Sequence, residues 1–378
     1  MTLSLILCSR NDQYMGDSRW RLATALNYVG EHIRRLGRES DVEIVVADWG
    51  SDPPLSDTLE IDPAAARVTR FVLVPPILAA TLQLDSPFPE VIALNAAARR
   101  ARGDYIGRID QDTLVGARFL ATFFDLCEGK QRLDVPLDSA LLFSGHRHVP
   151  YRLAVRCPPL WAVTRFVERR GRALPLEGSD SASPFYLKAV GIWLLHRRLW
   201  HECGGYDERM IYMNGMEANM IHRLMTTYPI VDLGRLAGHD FYHLEHYHPW
   251  ATRRSSTHRK VNPHLPFWTP DRMNPNGDAW GLAAHDLAFA PSGNVQDSAA
   301  PPSTVPGTRA GQFLLLTALV SALGVVDRIA IATTVWSTRI RKAWLAVRDR
   351  PVATWPRVLC DLWAARRAAR QARSPGAC

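Results

Sequence analysis

The sequence lacks any pairing pattern among its cysteines. Its 378 residues include six cysteines, and none of them forms a C-x-x-C pair or a regular spacing. Scattered cysteines in a chain of this size are typical of reduced thiols, and they argue against a disulfide framework and against a cysteine-based zinc site. The apolar content of 47% and the charged content of 22% are ordinary for a globular protein, so most of the chain can bury a core.

The sequence also lacks an apolar run long enough to span a membrane. The N-terminal run, residues 3–8, is too short for a signal peptide and follows no basic region. Residues 312–336 are largely apolar, but Asp327 and Arg328 interrupt them. The uninterrupted piece of fourteen residues is shorter than the ~20 that cross a bilayer. This segment can form a helical hairpin on the preceding domain, a re-entrant segment or an interfacial helix.

Excess positive charge is absent from most of the chain. Residues 339–378 contain ten Lys/Arg and two Asp/Glu, which accounts for the whole formal charge of +8. No nucleic-acid-binding module is recognisable, so we expect no nucleic-acid partner. Basic residues near Trp344, Trp355 and Trp363 favour an interfacial helix at an anionic membrane surface. We therefore expect a cytoplasmic protein, peripheral at the inner face of the membrane.

Short apolar segments alternate with helical patterns in the first hundred residues. Strands are predicted at 3–8, 42–47 and 68–74, and helices at 18–36 and 91–102. This alternation predicts an α/β fold with a mostly parallel central sheet flanked by helices.

Composition divides the chain into three parts. Residues 1–286 form the predicted α/β domain. Residues 287–310 are rich in Pro, Ser and Ala and are typical of a linker. Residues 311–378 form a predicted helical C-terminal region, first apolar and then basic.

Polar clusters follow three of the predicted strands, at residues 9–12, 48–52 and 110–112. Ligands of parallel α/β sheets bind outside the carboxyl ends of the strands, so we expect these clusters to converge on one site. Asp110 and Asp112 follow the strand at 104–109, and two hard oxygen ligands suit Mg²⁺ or Mn²⁺. The alternative is that one of them caps the helix predicted near residue 116.

Histidine is concentrated in one short segment. Residues 239–248 hold four of the thirteen histidines: His239, His243, His246 and His248. These residues can contribute a metal ligand, form a zinc site of their own, or be ordinary core and surface histidines.

Several motifs, in a fixed order, resemble those of a known enzyme family. They are C-S-R-N-D, V-V-A-D-W-G-S-D, A-L-N-A-A-A-R-R-A-R-G-D-Y-I-G-R-I-D-Q-D and V-G-I-W-L-L-H-R-R-L-W-H-E-C-G-G-Y-D-E-R. Over roughly residues 2–250 the chain resembles GT-A fold inverting glycosyltransferases of family 2, including galactosyltransferase and N-acetylgalactosaminyltransferase-type catalytic domains. The resemblance implies that residues 1–286 are a catalytic domain. It also implies metal-dependent sugar transfer from a nucleotide-diphosphate donor, UDP-sugar before GDP-sugar, to a hydroxyl of a glycan or lipid-linked acceptor.

The same resemblance implies which residues bind the nucleotide-sugar. Asp48 would accept a hydrogen bond from the base, and Ser9 and Arg10 would line the same pocket. Asn95 would lie near the ribose or diphosphate, and Asp110 would contact the ribose or the metal. The alternative for Asp48 is a side chain that stabilises the turn before Gly50, and for Asn95 a position on a helix surface.

The resemblance also implies a cation site and a general base. Asp112, with Asp110, would bind Mn²⁺ or Mg²⁺, and His243 would be a third ligand, with His246 as the next choice. Aligned on the Arg223–Leu224 pair, Glu217 occupies the position of the family's general base. The alternative for Glu217 is an acidic residue in the first turn of a helix, where the dipole favours it.

The chain departs from the family pattern beside this base. Met216 stands where the family has Glu, and Asn219 stands where it has Asp. These departures leave open a nucleotide-sugar-binding protein without transferase activity. A nucleotidylyltransferase is a further alternative, but the loop at 9–12 lacks the glycines that it requires. We expect acceptor contacts in the irregular stretch 128–188, because substrate choice in α/β enzymes usually lies on loops.

Overall fold

The computed structural model describes residues 2–12, 14, 16–177, 191–212, 215–246, 262 and 272–295. Contacts divide the chain into two units, 1–301 and 302–378, and every described residue belongs to the first. The predicted C-terminal region 311–378 therefore lies outside the described residues. Within the described part of the chain, no helix is long and apolar enough to cross a membrane.

The described residues form two sheets. The strands are β1 (Leu3–Ser9), β2 (Val42–Trp49), β3 (Thr69–Val74), β4 (Tyr105–Arg108), β5 (Thr113–Val115), β6 (Leu141–Ser144), β7 (His146–Val149), β8 (Leu176–Glu177), β9 (Ile192–His196), β10 (Ile230–Asp232), β11 (Phe241–Leu244) and β12 (Phe289–Pro291). The larger sheet has the order β10-β6-β9-β4-β1-β2-β3-β12, and the smaller one β5-β11-β7-β8.

Helices connect the strands. The α-helices are α1 (Ser18–Arg35), α2 (Leu55–Thr58), α3 (Pro63–Val68), α4 (Pro76–Gln83), α5 (Glu90–Arg100), α6 (Ala117–Cys127), α7 (Tyr151–Ala154), α8 (Leu160–Arg170), α9 (Arg197–Cys203), α10 (Met216–Met225) and α11 (Leu233–Leu236). Short 3₁₀ turns lie at Leu137–Ser139, Gly171–Ala173 and Gly277–Ala279. The helices α1 and α5 agree with the predicted segments 18–36 and 91–102 to within two residues.

The prediction of a large α/β sheet flanked by helices is confirmed. Its four central strands, β4-β1-β2-β3, are parallel to one another. Towards the edges the sheet is mixed, because β9 is antiparallel to both β4 and β6, and β12 is antiparallel to β3. Polar clusters that follow β1, β2 and β4 thus emerge at the same edge of the sheet, as expected for parallel strands.

A hydrophobic core lies on each face of the large sheet. In β1, Ile6 belongs to one core and Leu5 and Leu7 to the other, because successive side chains of a strand point to opposite faces. Helix α5 packs into the first core, and helices α1 and α6 pack into the second. This coverage explains why the strands read as continuous apolar runs rather than as alternating patterns.

The smaller sheet positions the histidines. Strand β11 lies between β5, to which it is antiparallel, and β7, to which it is parallel. His243 of β11 is therefore in register with Thr113 on one side and with His148 on the other. This pairing brings the segment after Asp112 next to a segment about 130 positions later in the chain.

The folded unit extends beyond the predicted boundary at residue 286. Residues 287–310 were expected to be a linker, but Phe289–Pro291 forms the edge strand β12 on β3. Leu287 is buried in the core, and the Arg70 guanidinium lies 4.4 Å from the centre of the Phe289 ring. The prediction missed these apolar residues because the Pro and Ser content of the whole segment is typical of a linker. The rest of that segment, from residue 296, lies outside the described residues.

Candidate active site at the strand ends

A cavity of about 390 Å³ opens where β1 and β4 end. Six of the eight predicted site residues line it: Ser9, Arg10, Asp110, Asp112, Glu217 and His243. Asp48 and Asn95 are not among the lining residues. The convergence of separate segments on one cavity is what a parallel sheet produces at the carboxyl ends of its strands.

Asp112, His243 and His246 form a group that can hold a metal ion. Asp112 Oδ1 lies 3.2 Å from His243 Nδ1, and Asp112 Oδ2 lies 3.4 Å from His246 Nε2. The donor atoms of the three residues all lie within 4.8 Å of one another. Asp112 Oδ1 and His243 Nδ1 are buried and face each other without the geometry of a hydrogen bond. A cation bound between them would satisfy both atoms, because buried polar atoms are usually paired.

The chemistry of the donors bears on which cation fits. Mg²⁺ prefers oxygen ligands and near-ideal octahedral geometry, whereas imidazole nitrogen suits transition metals. One carboxylate with two imidazoles therefore suits a transition-metal ion better than an ion that requires oxygen ligands alone. His243 and His246, the first and second choices for the third ligand, both line the cavity, because β11 ends at Leu244 and the strand alternation ends with it.

Asp112 also has a partner that sequence reasoning missed. Arg21 of α1 donates from Nη1 to Asp112 Oδ2 at 2.5 Å, and both side chains are almost fully buried. The Arg21 Nη2 group donates to the carbonyls of Tyr14 and Gly16. Burial opposes ionisation of Asp112, but the nearby imidazoles and Arg21 outweigh it and hold the pKa of Asp112 below its usual value. The carboxylate is thus ionised and available to a cation.

A second group of charges lies around Arg108 on the same cavity. Arg108 Nη2 lies 2.7 Å from Asp110 Oδ1, 2.8 Å from Glu90 Oε1 and 3.1 Å from Glu217 Oε1. Asp110 therefore does not join the ligand group of Asp112, contrary to the expectation that both would converge on one ion. Residues two apart share a face only within a strand, and β4 ends at Arg108, before either aspartate.

The crowding of carboxylates shifts their protonation. Burial, with repulsion from Glu217 and Asp110, raises the pKa of Glu90 to about 7, against the attraction of Arg108. Burial also raises the pKa of Glu217, again opposed by Arg108. Glu217 lies in the first turn of α10, as expected, but it faces the cavity rather than solvent. A carboxylate whose pKa is raised towards neutrality is a stronger base than an exposed one.

The two remaining nucleotide-side candidates line the cavity wall. Ser9 Oγ donates to Gln111 Oε1 at 2.6 Å, which ties the end of β1 to the D-Q-D segment. Arg10 Nε donates to Asp12 Oδ2 at 2.7 Å, and its guanidinium lies 5.6 Å from the centre of the Phe88 ring. These side chains leave polar and aromatic surface at the opening of the cavity.

Asp48 has the alternative role, stabilising its own loop. It is 2% exposed, and its carboxylate accepts hydrogen bonds from Ser51 Oγ and, at 2.7 Å, from the backbone N–H of Leu55. Each carboxylate oxygen is thus engaged within the loop, and Asp48 does not line the cavity. The local hydrogen bonds, which Asp readily forms in turns, decide the position of this side chain.

Asn95 was expected near the ribose or diphosphate, and the structure places it elsewhere. It is fully buried and donates to the carbonyl of Tyr206 at 2.8 Å and to Glu208 Oε1 at 2.9 Å. Its own oxygen accepts from the N–H of Tyr206 at 2.8 Å. Asn95 therefore holds the turn of the G-G-Y-D-E segment against α5. A Cβ on Gly205 would lie 2.2 Å from Asn95 Oδ1, so this contact requires glycine.

Asn219, the departure from the family pattern on α10, is also structural. It accepts a hydrogen bond from Arg223 Nε at 3.1 Å. Arg223 in turn donates to the carbonyls of Cys203 and Gly205, at 2.6 Å each. The Arg223 side chain therefore fixes the same turn from the other side, and Asn219 orients it. An amide oxygen meets this need, so the replacement of Asp at 219 does not disturb the cavity.

Sequence reasoning missed Glu90 and Arg108, which line the cavity, and Arg21, which pairs with Asp112 behind its wall. Arg108 had a signal, because it stands within the otherwise apolar strand segment Y-I-G-R-I, and a buried arginine requires carboxylate partners. Glu90 and Arg21 had none. Each lies at a helix position where a charged residue is ordinary, and only the packing of α1 and α5 turns them inward.

Comparisons with known proteins gave matches to solved structures alone. No family model and no curated protein matches the chain. A structure of S. aureus TarS is similar at 13% identity and a TM-score of 0.37, covering 61% of this chain and 57% of that one. The chain thus spans less than two thirds of that structure's length. TarS has also been solved with UDP and with UDP-GlcNAc.

Drosophila β1,4-galactosyltransferase 7 is similar as well. Its catalytic domain in complex with xylobiose has 12% identity and a TM-score of 0.36, covering 70% of this chain and 75% of that one. A mutant of the same enzyme in complex with manganese, UDP-Gal and xylobiose has 11% identity and a TM-score of 0.36, covering 71% of this chain and 83% of that one. The solved structures similar to this chain thus include a glycosyltransferase.

Proposed function

We propose that this chain is a metal-dependent inverting glycosyltransferase that uses a nucleotide-diphosphate sugar. The observation that carries the proposal is the division of one cavity into two groups. One group, Asp112 with His243 and His246, places a carboxylate and two imidazoles within 4.8 Å of one another, which suits a cation. The other, around Glu217, holds a carboxylate whose pKa is raised by burial. A sugar transfer needs both, one for the leaving group and one for the nucleophile.

The cation group would hold the diphosphate of the donor. The ion would be Mn²⁺ or Mg²⁺, of which the two imidazoles favour Mn²⁺, and when bound it would neutralise charge on the departing nucleoside diphosphate. Asp112 is kept ionised by its surroundings, and Arg21 pairs with its Oδ2. Ser9 and Arg10 would bind the nucleotide at the opening of the cavity. Motif resemblance favours UDP-sugar over GDP-sugar.

Glu217 would act as the general base. It accepts a proton from the acceptor hydroxyl as the oxygen attacks the anomeric carbon, and Arg108 holds its carboxylate in position through the 3.1 Å contact. The proton is accepted at Glu217, whereas the departing diphosphate is held at the cation group of Asp112, His243 and His246. Attack and departure can therefore occur in one displacement. Such a displacement inverts the anomeric configuration. Asp110 shares Arg108 with Glu217 and therefore belongs to this group, or contacts the ribose, rather than the cation.

The acceptor would be a glycan or a lipid-linked glycan. We also propose that the basic, tryptophan-bearing segment 339–378 holds the protein at an anionic membrane surface, which would present a lipid-linked acceptor to the cavity. The support for this part is the sequence alone: the charge of that segment and its tryptophans.

The test is transfer and donor hydrolysis by the full-length protein, with a panel of UDP- and GDP-sugars and Mn²⁺. Replacing Glu217→Gln removes the base while it retains the shape, and we expect the rate to fall by about 10²- to 10⁴-fold. The control is Glu202→Gln, because Glu202 pairs with Arg198 on the surface, away from the cavity. Hydrolysis at the parental rate by the Glu217→Gln protein would disprove the base assignment. Donor binding without turnover in the parent would instead favour a nucleotide-sugar-binding protein.

A further inference from the structure

A second group of metal-ligating side chains lies on the smaller sheet, behind His243. His146 and His148 are two residues apart on β7, so their side chains share one face, and Glu177 of β8 is in register with His146. His148 Nε2 lies 2.8 Å from Glu177 Oε2, and His146 Nε2 lies 3.8 Å from the same oxygen. The donor atoms of the three residues all lie within 4.8 Å of one another.

The environment of His146 indicates a missing partner. The residue is 6% exposed, and its Nδ1 has no hydrogen-bond partner. Its Nε2 is farther from Glu177 than a hydrogen bond allows. One face of the ring is stacked on His243, with centroids 4.9 Å apart and planes at 16°. A buried imidazole loses the hydrogen bonds that water would provide, and a metal ion bound to a ring nitrogen compensates for that loss.

His148 has the orientation of a metal ligand. Its Nδ1 contacts Glu245 Oε1, which directs its Nε2 towards Glu177 and His146. Metal-bound histidines almost always donate their second ring N–H to a carboxylate or a carbonyl, and this outer partner fixes the ring. Glu245 is itself held, because its backbone N–H donates to the carbonyl of Val149 at 3.0 Å.

We propose that His146, His148 and Glu177 bind a zinc ion, with Glu245 as the carboxylate that orients His148. Two imidazoles and one carboxylate are an established ligand set for Zn²⁺, with a water molecule in the fourth position. Glu177 is about half exposed, which leaves one side open to that water. Two nitrogen donors disfavour Mg²⁺ and Ca²⁺, which prefer oxygen.

This site is separate from the proposed donor site and goes beyond the proposed function. It shares no ligand with Asp112, His243 and His246. The two groups meet where His146 stacks on His243 and where His148 contacts the same ring edge-on. Strand β11 also carries His243 and ends one residue before Glu245. A zinc ion here would tie β7 to β8 and, through Glu245, hold the end of β11. It would therefore brace the strand that supplies His243 without contacting the donor.

The alternative occupant of this group is a proton. Burial opposes protonation of His148, but its hydrogen bonds with Glu177 and Glu245 outweigh burial and raise its pKa to about 9. A protonated His148 between two carboxylates needs no metal. The two arrangements make different demands on His146. Protonation of His148 requires no contact with His146, whereas a bound zinc ion requires one ring nitrogen of His146 as a ligand.

The experiment is a titration of full-length, chelator-treated protein with Zn²⁺ against a chromophoric competitor, and with Co²⁺ followed by its visible absorption. The background is Asp112→Asn, which removes the donor site. We expect one equivalent of Zn²⁺ and a tetrahedral Co²⁺ spectrum. Glu245→Gln should weaken Zn²⁺ binding by about 10- to 100-fold, and His146→Asn and Glu177→Gln should weaken it further. The control is His201→Asn, because His201 contacts Trp280 elsewhere on the unit.

The absence of a zinc site in the Asp112→Asn protein would overturn the proposal. So would a site that is unchanged by both His146→Asn and Glu177→Gln. Far-UV circular dichroism checks that each variant folds. Because Glu177 is about half exposed, Glu177→Gln decides the question even if His146→Asn does not fold. Donor hydrolysis with Mn²⁺ alone tests the proposed function independently, so the failure of one proposal does not imply the failure of the other.

Discussion

Removing the Arg21 guanidinium deprives the Asp112 carboxylate of its closest positive partner. The two side chains are 2% and 4% exposed, and Nη1 lies 2.5 Å from Oδ2. Breaking a buried ion pair from one side typically costs about 3–5 kcal/mol, because the other charge is left without compensation. His243 and His246 face the same carboxylate and take over part of that compensation. For Arg21→Met we therefore expect a loss near the lower end, about 3 kcal/mol.

The assay is urea unfolding of both proteins in the presence of a chelator. The matched control is Arg35→Met, the same substitution on the same helix. Arg35 pairs with Glu31 at 2.7 Å but is 51% exposed, and such pairs contribute at most about 1 kcal/mol. We expect the unfolding midpoint to fall with an unchanged slope for Arg21→Met, and to move little for Arg35→Met. Equal shifts for the two variants would refute the role given to the buried pair.

Mn²⁺ should reverse much of the loss. Arg21 and a cation compete for the same carboxylate, so the Arg21→Met protein should bind Mn²⁺ more tightly than the parent does. A ligand at 100 times its dissociation constant stabilises the native state by about 2.7 kcal/mol. The recovery is measured by repeating the unfolding with Mn²⁺ in place of chelator. If Mn²⁺ stabilises neither protein, Asp112 serves the ion pair alone and the cation site is wrong.

Two further predictions concern pH and the C-terminal region. The pKa of Glu90 is raised from 4.5 to about 7, so the folded state binds the proton more tightly than the unfolded state. Stability should thus fall, by up to about 3 kcal/mol, as pH rises between these values. Glu90→Gln should reduce that slope to the part that Glu217, whose pKa is also raised, contributes, and an unchanged slope would contradict the assignment. Full-length protein should co-sediment with anionic liposomes, whereas a chain ending at Thr308 should not, and equal partitioning would exclude the C-terminal region as an anchor.

The sequence predicted the sheet and most of the cavity because both depend on local patterns. Apolar segments of strand length alternate with helical segments, and that alternation alone implies parallel neighbours. Parallel neighbours end at one edge, so Ser9, Asp110 and Asp112 had to meet there. Asp48 is in register with Ser9 on the adjacent strand, yet its carboxylate turns into its own loop. Strand register determines the position of the Cα atom, and local hydrogen-bond donors determine the direction in which the side chain points.

The charged partners could not be predicted in the same way. Arg21 reaches Asp112 across 91 residues of sequence, and Arg108 reaches Glu217 across 109. His148 lies beside His243 only because β7 pairs with β11. No spacing within a single segment reports these contacts, since each depends on how two distant elements pack. The concentration of histidines at 239–248 was visible in the sequence. His146 and His148 of the proposed zinc site lie instead in the stretch 128–188, where only acceptor contacts were expected.

The D-Q-D segment, residues 110–112, contributes side chains to both groups of the cavity. Asp110 pairs with Arg108 on the Glu217 side, and Asp112 faces the two imidazoles. Gln111, between them, is held by Ser9 at the end of β1. Three consecutive residues therefore link the base group, the strand end and the cation group through one short piece of backbone. In the proposed reaction the base and the leaving-group cation must keep a fixed separation, and this segment, anchored at its centre, provides it. A change at Gln111 that released Ser9 would disturb both groups at once, whereas a change at Asp110 or Asp112 would act first on one of them.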